Sequence, residues 1–133
     1  ILVGSAEDQN AIKEVVELMK EKPLISAGIL TLLQTAAAIK MAHLFIGNDA
    51  APMHIAAAVE TPVIALFGPT DPEIYGPRGQ GHMVIRKTEF SCICTFQKVC
   101  HSKGMSCMDQ ISVEDVFFAA DKLLALTSAS SNG

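Results

Sequence analysis

Apolar residues follow two rhythms along this chain. Short unbroken runs alternate with stretches in which apolar positions recur every three or four residues. The runs Ile1–Val3, Leu44–Ile46, Val63–Phe67 and Met83–Ile85 read as buried strands, with Leu24-Ile25 as a shorter one. Between them, Ile12, Val15, Val16 and Met19 fall at helical spacing. They predict one buried face of a helix that starts at Ser5 and stops before Pro23. Leu33, Ala36, Ala37 and Lys40 set a second helix, and an alanine-rich helix covers Met53–Val59 with Pro52 in its first turn. Val113, Val116, Phe117, Ala120 and Leu124 predict the inner face of a last helix. Ser5 with Asp8, Thr31 with Gln34, and Ser112 with Asp115 stand at the spacing of capping boxes.

Continuous apolar strands between helices predict an α/β fold with a doubly wound, Rossmann-like parallel sheet. One domain over residues 1–127 fits the length, with 128–133 as a small polar tail. Ile1–Val3 reads as a strand with no turn or cap ahead of it, so a missing first strand upstream is expected. Half the chain is apolar and only 5% is aromatic, which suits helices packed closely on a buried sheet. A net charge of -4 and a pI near 5.5 argue against a nucleic-acid binder. No apolar run is long enough for a spanning helix, and no basic stretch precedes "ILVG" as in a secretory signal.

In open α/β sheets, ligands sit beyond the carboxyl ends of the strands. Three such ends here carry chemistry. In Gly47-Asn48-Asp49-Ala50-Ala51-Pro52-Met53-His54 a strand delivers Asp49 and a helix begins at Pro52. Free amide groups at that helix start favour phosphate, and His54 lies in reach of an anion. The same segment also fits Asp49 as a plain N-cap and His54 as a satisfied core histidine. Gly4-Ser5-Ala6-Glu7 puts a carboxylate at a helix start, where it could accept from a ribose diol or simply face the helix dipole. Gly28-Ile29-Leu30-Thr31 is an apolar loop entering a helix, able to hold an adenine or to serve only as a loop with its cap. Phe67-Gly68-Pro69-Thr70-Asp71-Pro72 is a stiff loop that could wall a sugar site, with Gly68 permitting close approach to a ligand. Asp71 could equally be a local cap.

Together these pieces resemble glycosyltransferase family 9, the ADP-heptose:lipopolysaccharide heptosyltransferases. The stretch "LFIGNDAAPMHIAAAVETPVIALFGPTDPEIYGPRG" is similar to the family's N-D-[ST]-G-P-x-H-x-A-A followed by a strand ending F-G-P-T-D-P. Gly4–Glu7 and Leu30–Leu32 match two further family positions, and the resemblance runs from Ile1 to about Leu124. It implies the donor-binding half of a two-domain GT-B enzyme. Asp49, Ala50, Ala51 and His54 would face the diphosphate and sugar, Glu7 the ribose, and Leu30 with Thr31 the adenine side. The implied reaction moves a heptosyl unit from ADP-heptose to a lipopolysaccharide core acceptor with inversion, and no metal or other cofactor is required. The base would belong to an N-terminal acceptor domain, and a phosphate-contacting basic residue would also lie upstream of Ile1. No catalytic base is therefore expected in residues 1–133, with His54 as a leaving-group stabiliser, and these residues alone would be inactive. The implied setting is the cytoplasm, beside the inner membrane face where the lipid-linked acceptor lies. Two departures stand out: Ala50 replaces a hydroxyl residue, and Ala51 replaces a glycine. If residue 51 needs a positive φ, alanine there costs about 1 kcal/mol.

Cys92, Cys94, Cys100 and Cys107 cluster in an irregular insertion over residues 88–110. Their C-x-C-x5-C-x6-C spacing is not that of common zinc sites, which favours unligated or disulfide-paired thiols over a structural zinc. His101 could stand in for a thiolate as ligand. Other readings remain: a nucleotide-sugar 2-epimerase of the same plan, a non-catalytic receiver-like module, or an interaction module built on the cysteines. The Asp49–His54 segment fits the first less well. The second wants an acidic cluster near the first strand and a lysine at a late strand end, which this sequence lacks.

Overall fold

The computed structural model describes residues 1–87 and 106–130. After a 3-10 turn at Ala6–Asp8 the elements are α1 (Gln9–Leu18), α2 (Leu32–Lys40), β1 (Phe45–Asn48), α3 (Ala51–Ala58), β2 (Val63–Phe67), α4 (Pro72–Tyr75), β3 (His82–Arg86) and α5 (Val113–Ser130). The strands form one parallel sheet in the order β1-β2-β3. Phe45 pairs with Val63 and Val63 with His82, so the carboxyl ends of β1 and β2 lie side by side. Leu2 forms a separate parallel bridge with Ile25.

The central strand explains the layering. Val63, Ala65 and Phe67 face one side of β2, and they pack with Ile39 of α2 and with Met53 and Ala56 of α3. Ile64 faces the other side and meets Ala119 and Leu123 of α5. Burial on both faces is what a continuous apolar run requires. Thr61, itself buried, donates its hydroxyl to the Ile39 carbonyl at 2.9 Å and ties the end of α2 to the strand entrance.

All three capping boxes form as their spacing predicts. Ser5 and Asp8 bond reciprocally, as do Thr31 and Gln34, and Ser112 and Asp115. The helical faces differ from expectation. Ile12 is buried on α1, while Val15 and Met19 stay largely exposed. Ile39, not Leu33, anchors α2, and Leu33 is 82% exposed. On α5 the buried residues are Ala119 and Leu123, whereas Val113 and Phe117 are exposed. Periodicity marks apolar positions, but which of them meet a neighbour depends on what packs alongside. Among the described residues no helix is long and apolar enough to cross a membrane.

Candidate functional site

Asp49 leaves the carboxyl end of β1 and Gly68 leaves that of β2. Between these two exits lies a cleft of about 240 Å³, lined by Asn48, Asp49, Gly68, Pro69, Thr70 and Met108, among others. The Thr70 hydroxyl donates to Asp49 Oδ2 at 2.8 Å, which joins the two loops. Asp49 Oδ1 stands 3.9 Å from His54 Nε2, beyond hydrogen-bond reach but close enough for Coulomb attraction if the ring is protonated. Asp49 is therefore no N-cap; Ala50 holds that position, in extended backbone. His54 is no core histidine either, because half of its side chain meets solvent.

The start of α3 has the features of an anion site. Pro52 pre-sets the first turn, and no side chain caps the helix. Met53 donates to the Ala50 carbonyl, but the amide of Ala51 has no protein acceptor among the described residues. An uncapped N-terminus of eight residues offers these donors and the positive end of the helix dipole to a ligand. Ala51 sits in the helix itself, and Glu60 is the non-glycine residue with positive φ among the described residues. Alanine at 51 thus carries no left-handed strain.

The second cluster forms around Gly28. Its φ is +73°, and a Cβ there would come within 2.9 Å of the Ala6 backbone. Glycine is needed on both counts. Gly28 donates to the Gly4 carbonyl at 3.0 Å, and Gln9 reaches the Ala27 carbonyl. The turn bearing Glu7 and the loop bearing Leu30 and Thr31 are thereby held against each other. Glu7 is exposed and Leu30 half-buried. A cleft lined by Ile1–Val3 and Phe45–Asn48 lies between the strand that leads to Glu7 and the strand that leads to Asp49.

Two supporting residues escaped the sequence reading. Thr70 was legible only as part of a stiff loop; its bond to Asp49 spans 21 positions. Arg86, at the carboxyl end of β3, donates to the Gly68 carbonyl at 3.3 Å and holds that same loop. The signal for it was its place one strand further along the same sheet edge. Gly68 itself makes room for protein: an added Cβ would stand 3.3 Å from Cys107 Sγ and from Met108 Sδ. Asp71 caps α4 by accepting from the Glu73 amide, in keeping with its reading as a local cap. Cys92, Cys94, Cys100 and His101 lie outside the described residues. Cys107 is half-buried and without a disulfide among the described residues.

Comparison with known proteins agrees with this geometry. The family model described as glycosyltransferase family 9 (heptosyltransferase) matches residues 1–106. The chain is 36% identical to lipopolysaccharide heptosyltransferase 3 of Escherichia coli K12, over 90% of this chain and 35% of that protein. It superimposes on a family 9 glycosyl transferase from Veillonella parvula with a TM-score of 0.80 and 31% identity, over 92% of this chain and 35% of that one. The E. coli ADP-heptose LPS heptosyltransferase II gives 0.75 and 25%, over 96% of this chain and 36% of that one. The chain thus spans about a third of the length of the curated relatives it matches. On the family match, the shared fold and the Asp49–His54 corner, this chain belongs to glycosyltransferase family 9.

Proposed function

We propose that residues 1–127 form the donor-binding half of a GT-B heptosyltransferase that uses ADP-heptose and a lipopolysaccharide core acceptor. The observation that carries this reading is the uncapped start of α3, open beside Asp49 and His54 at the carboxyl ends of the sheet. The diphosphate docks on the amide groups of Ala50 and Ala51. His54 and the helix dipole then stabilise the charge that grows on the departing phosphate. Asp49, fixed by Thr70, accepts from a sugar hydroxyl. Glu7 takes the ribose diol, and Leu30 with Thr31 lines the base.

In the transfer itself an acceptor oxygen bonds to the anomeric carbon as the bond from that carbon to the diphosphate oxygen breaks. ADP departs, the anomeric configuration inverts, and the acceptor proton passes to a carboxylate of the acceptor domain. No residue of the described set is placed to take that proton, and no metal is needed when helix amides and His54 share the phosphate charge. The enzyme works in the cytoplasm at the inner membrane face, where a lipid-linked acceptor is within reach.

Calorimetric titration of ADP, UDP and GDP into the intact protein tests the reading. ADP should bind tightest, and His54→Ala should weaken it. Preferred binding of UDP, or ADP binding indifferent to changes at Asp49 and His54, would overturn it.

A further inference from the structure

Two hollows in this molecule share one explanation. The first is the cleft of about 250 Å³ between Ile1–Val3 and Phe45–Asn48, with Ile39 and Met53 also lining it. Both of its walls are strand edges. Leu2 donates to Leu24 and accepts from Ser26, and Gly4 accepts from Gly28. In a parallel ladder, alternate residues turn both their N–H and C=O to one side. Val3 therefore turns its groups away from the 24–28 segment, toward the cleft. Phe45 donates to Pro62 on the β2 side, so Ile46 and Asn48 turn theirs outward toward the same cleft. No backbone hydrogen bond crosses the gap among the described residues.

The second hollow is an open apolar trough of about 430 Å³ that includes Ile46, Leu66, Val113, Val116 and Phe117. Val113 and Phe117 are 80% and 73% exposed there. Unpaired strand edges and a contiguous apolar surface are both liabilities that folded proteins cover.

We propose that one strand-helix unit, supplied by residues preceding Ile1 in the intact protein, fills both hollows. The strand lies in the cleft, parallel to β1 and to Leu2, and merges the Leu2–Ile25 bridge and the three-stranded sheet into one. The helix lies in the trough. Handedness links the two placements. The β1-to-β2 crossover, α3, packs on the face of Val63, Ala65 and Phe67. A crossover from the cleft to Leu2 runs the opposite way across the sheet. To keep the right-handed sense it must pass over the other face, which is the face of Ile64, α5 and the trough. Parallel neighbours need a connection of about a dozen residues or more, so the strand cannot adjoin Ile1 directly. The relatives are far longer than this chain, which leaves polypeptide for such a unit. The proposal goes beyond the donor reading and does not depend on which nucleotide sugar is bound.

Hydrogen exchange on the intact, unmodified protein without donor tests the strand. The amides of Val3, Ile46 and Asn48 should exchange at least ~1000-fold slower than free peptide, in the range of Ala65 in β2. Exchange within about tenfold of free peptide would overturn the proposal. A photo-reactive benzophenone side chain at Phe117 of the intact protein tests the helix. Its cross-link should map to the same chain, upstream of Ile1. A cross-link to a second copy alone, or to no peptide at all, would overturn it.

Discussion

The two corners of the candidate site are built to different standards of rigidity. The Asp49 corner rises from a sheet whose central strand buries Val63, Ile64, Ala65 and Phe67 completely, with Met53 and Ala56 of α3 equally buried behind it. The Glu7 corner rests on one β-bridge and a few backbone bonds, with Ile12 and Ala27 as its buried apolar residues. Electrostatic stabilisation works only when donors are fixed before charge develops. Holding a base and a ribose asks less, since a ligand can order its own surroundings. The stiffer corner is thus the one assigned to the leaving diphosphate.

Different kinetic signatures would sharpen this comparison. His54→Ala in the intact enzyme should lower kcat about 100-fold, in the range for a lost oxyanion donor. Its thermal stability should hardly change, because the ring is half exposed. Leu30→Ala should instead act mainly on KM, since it removes contact made equally in ground and transition states. Steady-state kinetics on both variants checks the split. If His54→Ala raised KM alone, the division of labour between the corners would be wrong.

Gly28→Ala attacks the looser corner directly. The left-handed backbone costs alanine about 1–2 kcal/mol, and the new methyl would press on the Ala6 backbone. Relief requires the 28–31 loop to separate from the Glu7 turn. ADP affinity should fall by roughly tenfold, the equivalent of about 1.4 kcal/mol, with kcat nearly kept. Titration calorimetry measures the first and saturating kinetics the second. Unchanged affinity would mean that this corner does not hold the nucleoside.

Much of this was legible in the sequence, and what was not shares a cause. Strand runs, capping boxes and the Asp49–His54 segment are local patterns, and each appears where the residues put it. Helical faces are not local. Val113, Phe117 and Leu33 look as apolar as Ala119, Leu123 and Ile39, yet only the latter meet a neighbour. The Asp49–Thr70 bond and the Arg86 contact need β1, β2 and β3 to lie side by side in register first. Gly68 suggested approach to a ligand because a loop glycine carries no sign of what approaches it; its neighbours are Cys107 and Met108.

The stiff corner also has an acid limit. Lys87 beside Asp115, at 2.7 Å, together with Ser112, holds that carboxyl down to about 2. A carboxyl lowered in the folded state stabilises above its unfolded value, and the contribution fades as pH falls through the folded one. The advantage of wild type over Asp115→Asn in melting temperature should therefore be full above about pH 4 and shrink towards pH 2. The pair is exposed, so the difference should be small and weaker still in high salt. Melting curves across that window check it; a gap that stays constant would assign the effect to helix capping alone.

The smallest expected effect falls at the far end of α3. Thr61 donates to the Ala56 carbonyl and Glu60 to that of Ala57, which closes the helix in a Schellman motif. Glu60 takes the left-handed position at φ +64°, where glycine is the usual occupant. Glu60→Gly relieves backbone strain of about 1–2 kcal/mol but gives the unfolded chain back about 0.4–1 kcal/mol of freedom. The balance predicts a gain below about 1 kcal/mol, read as a modest rise in melting temperature. Donor affinity and kcat should not move, because the opposite end of the helix carries the anion site. A change in kcat would show that strain at Glu60 reaches Ala50 through the helix, and the rigidity ascribed to the Asp49 corner would then be overstated.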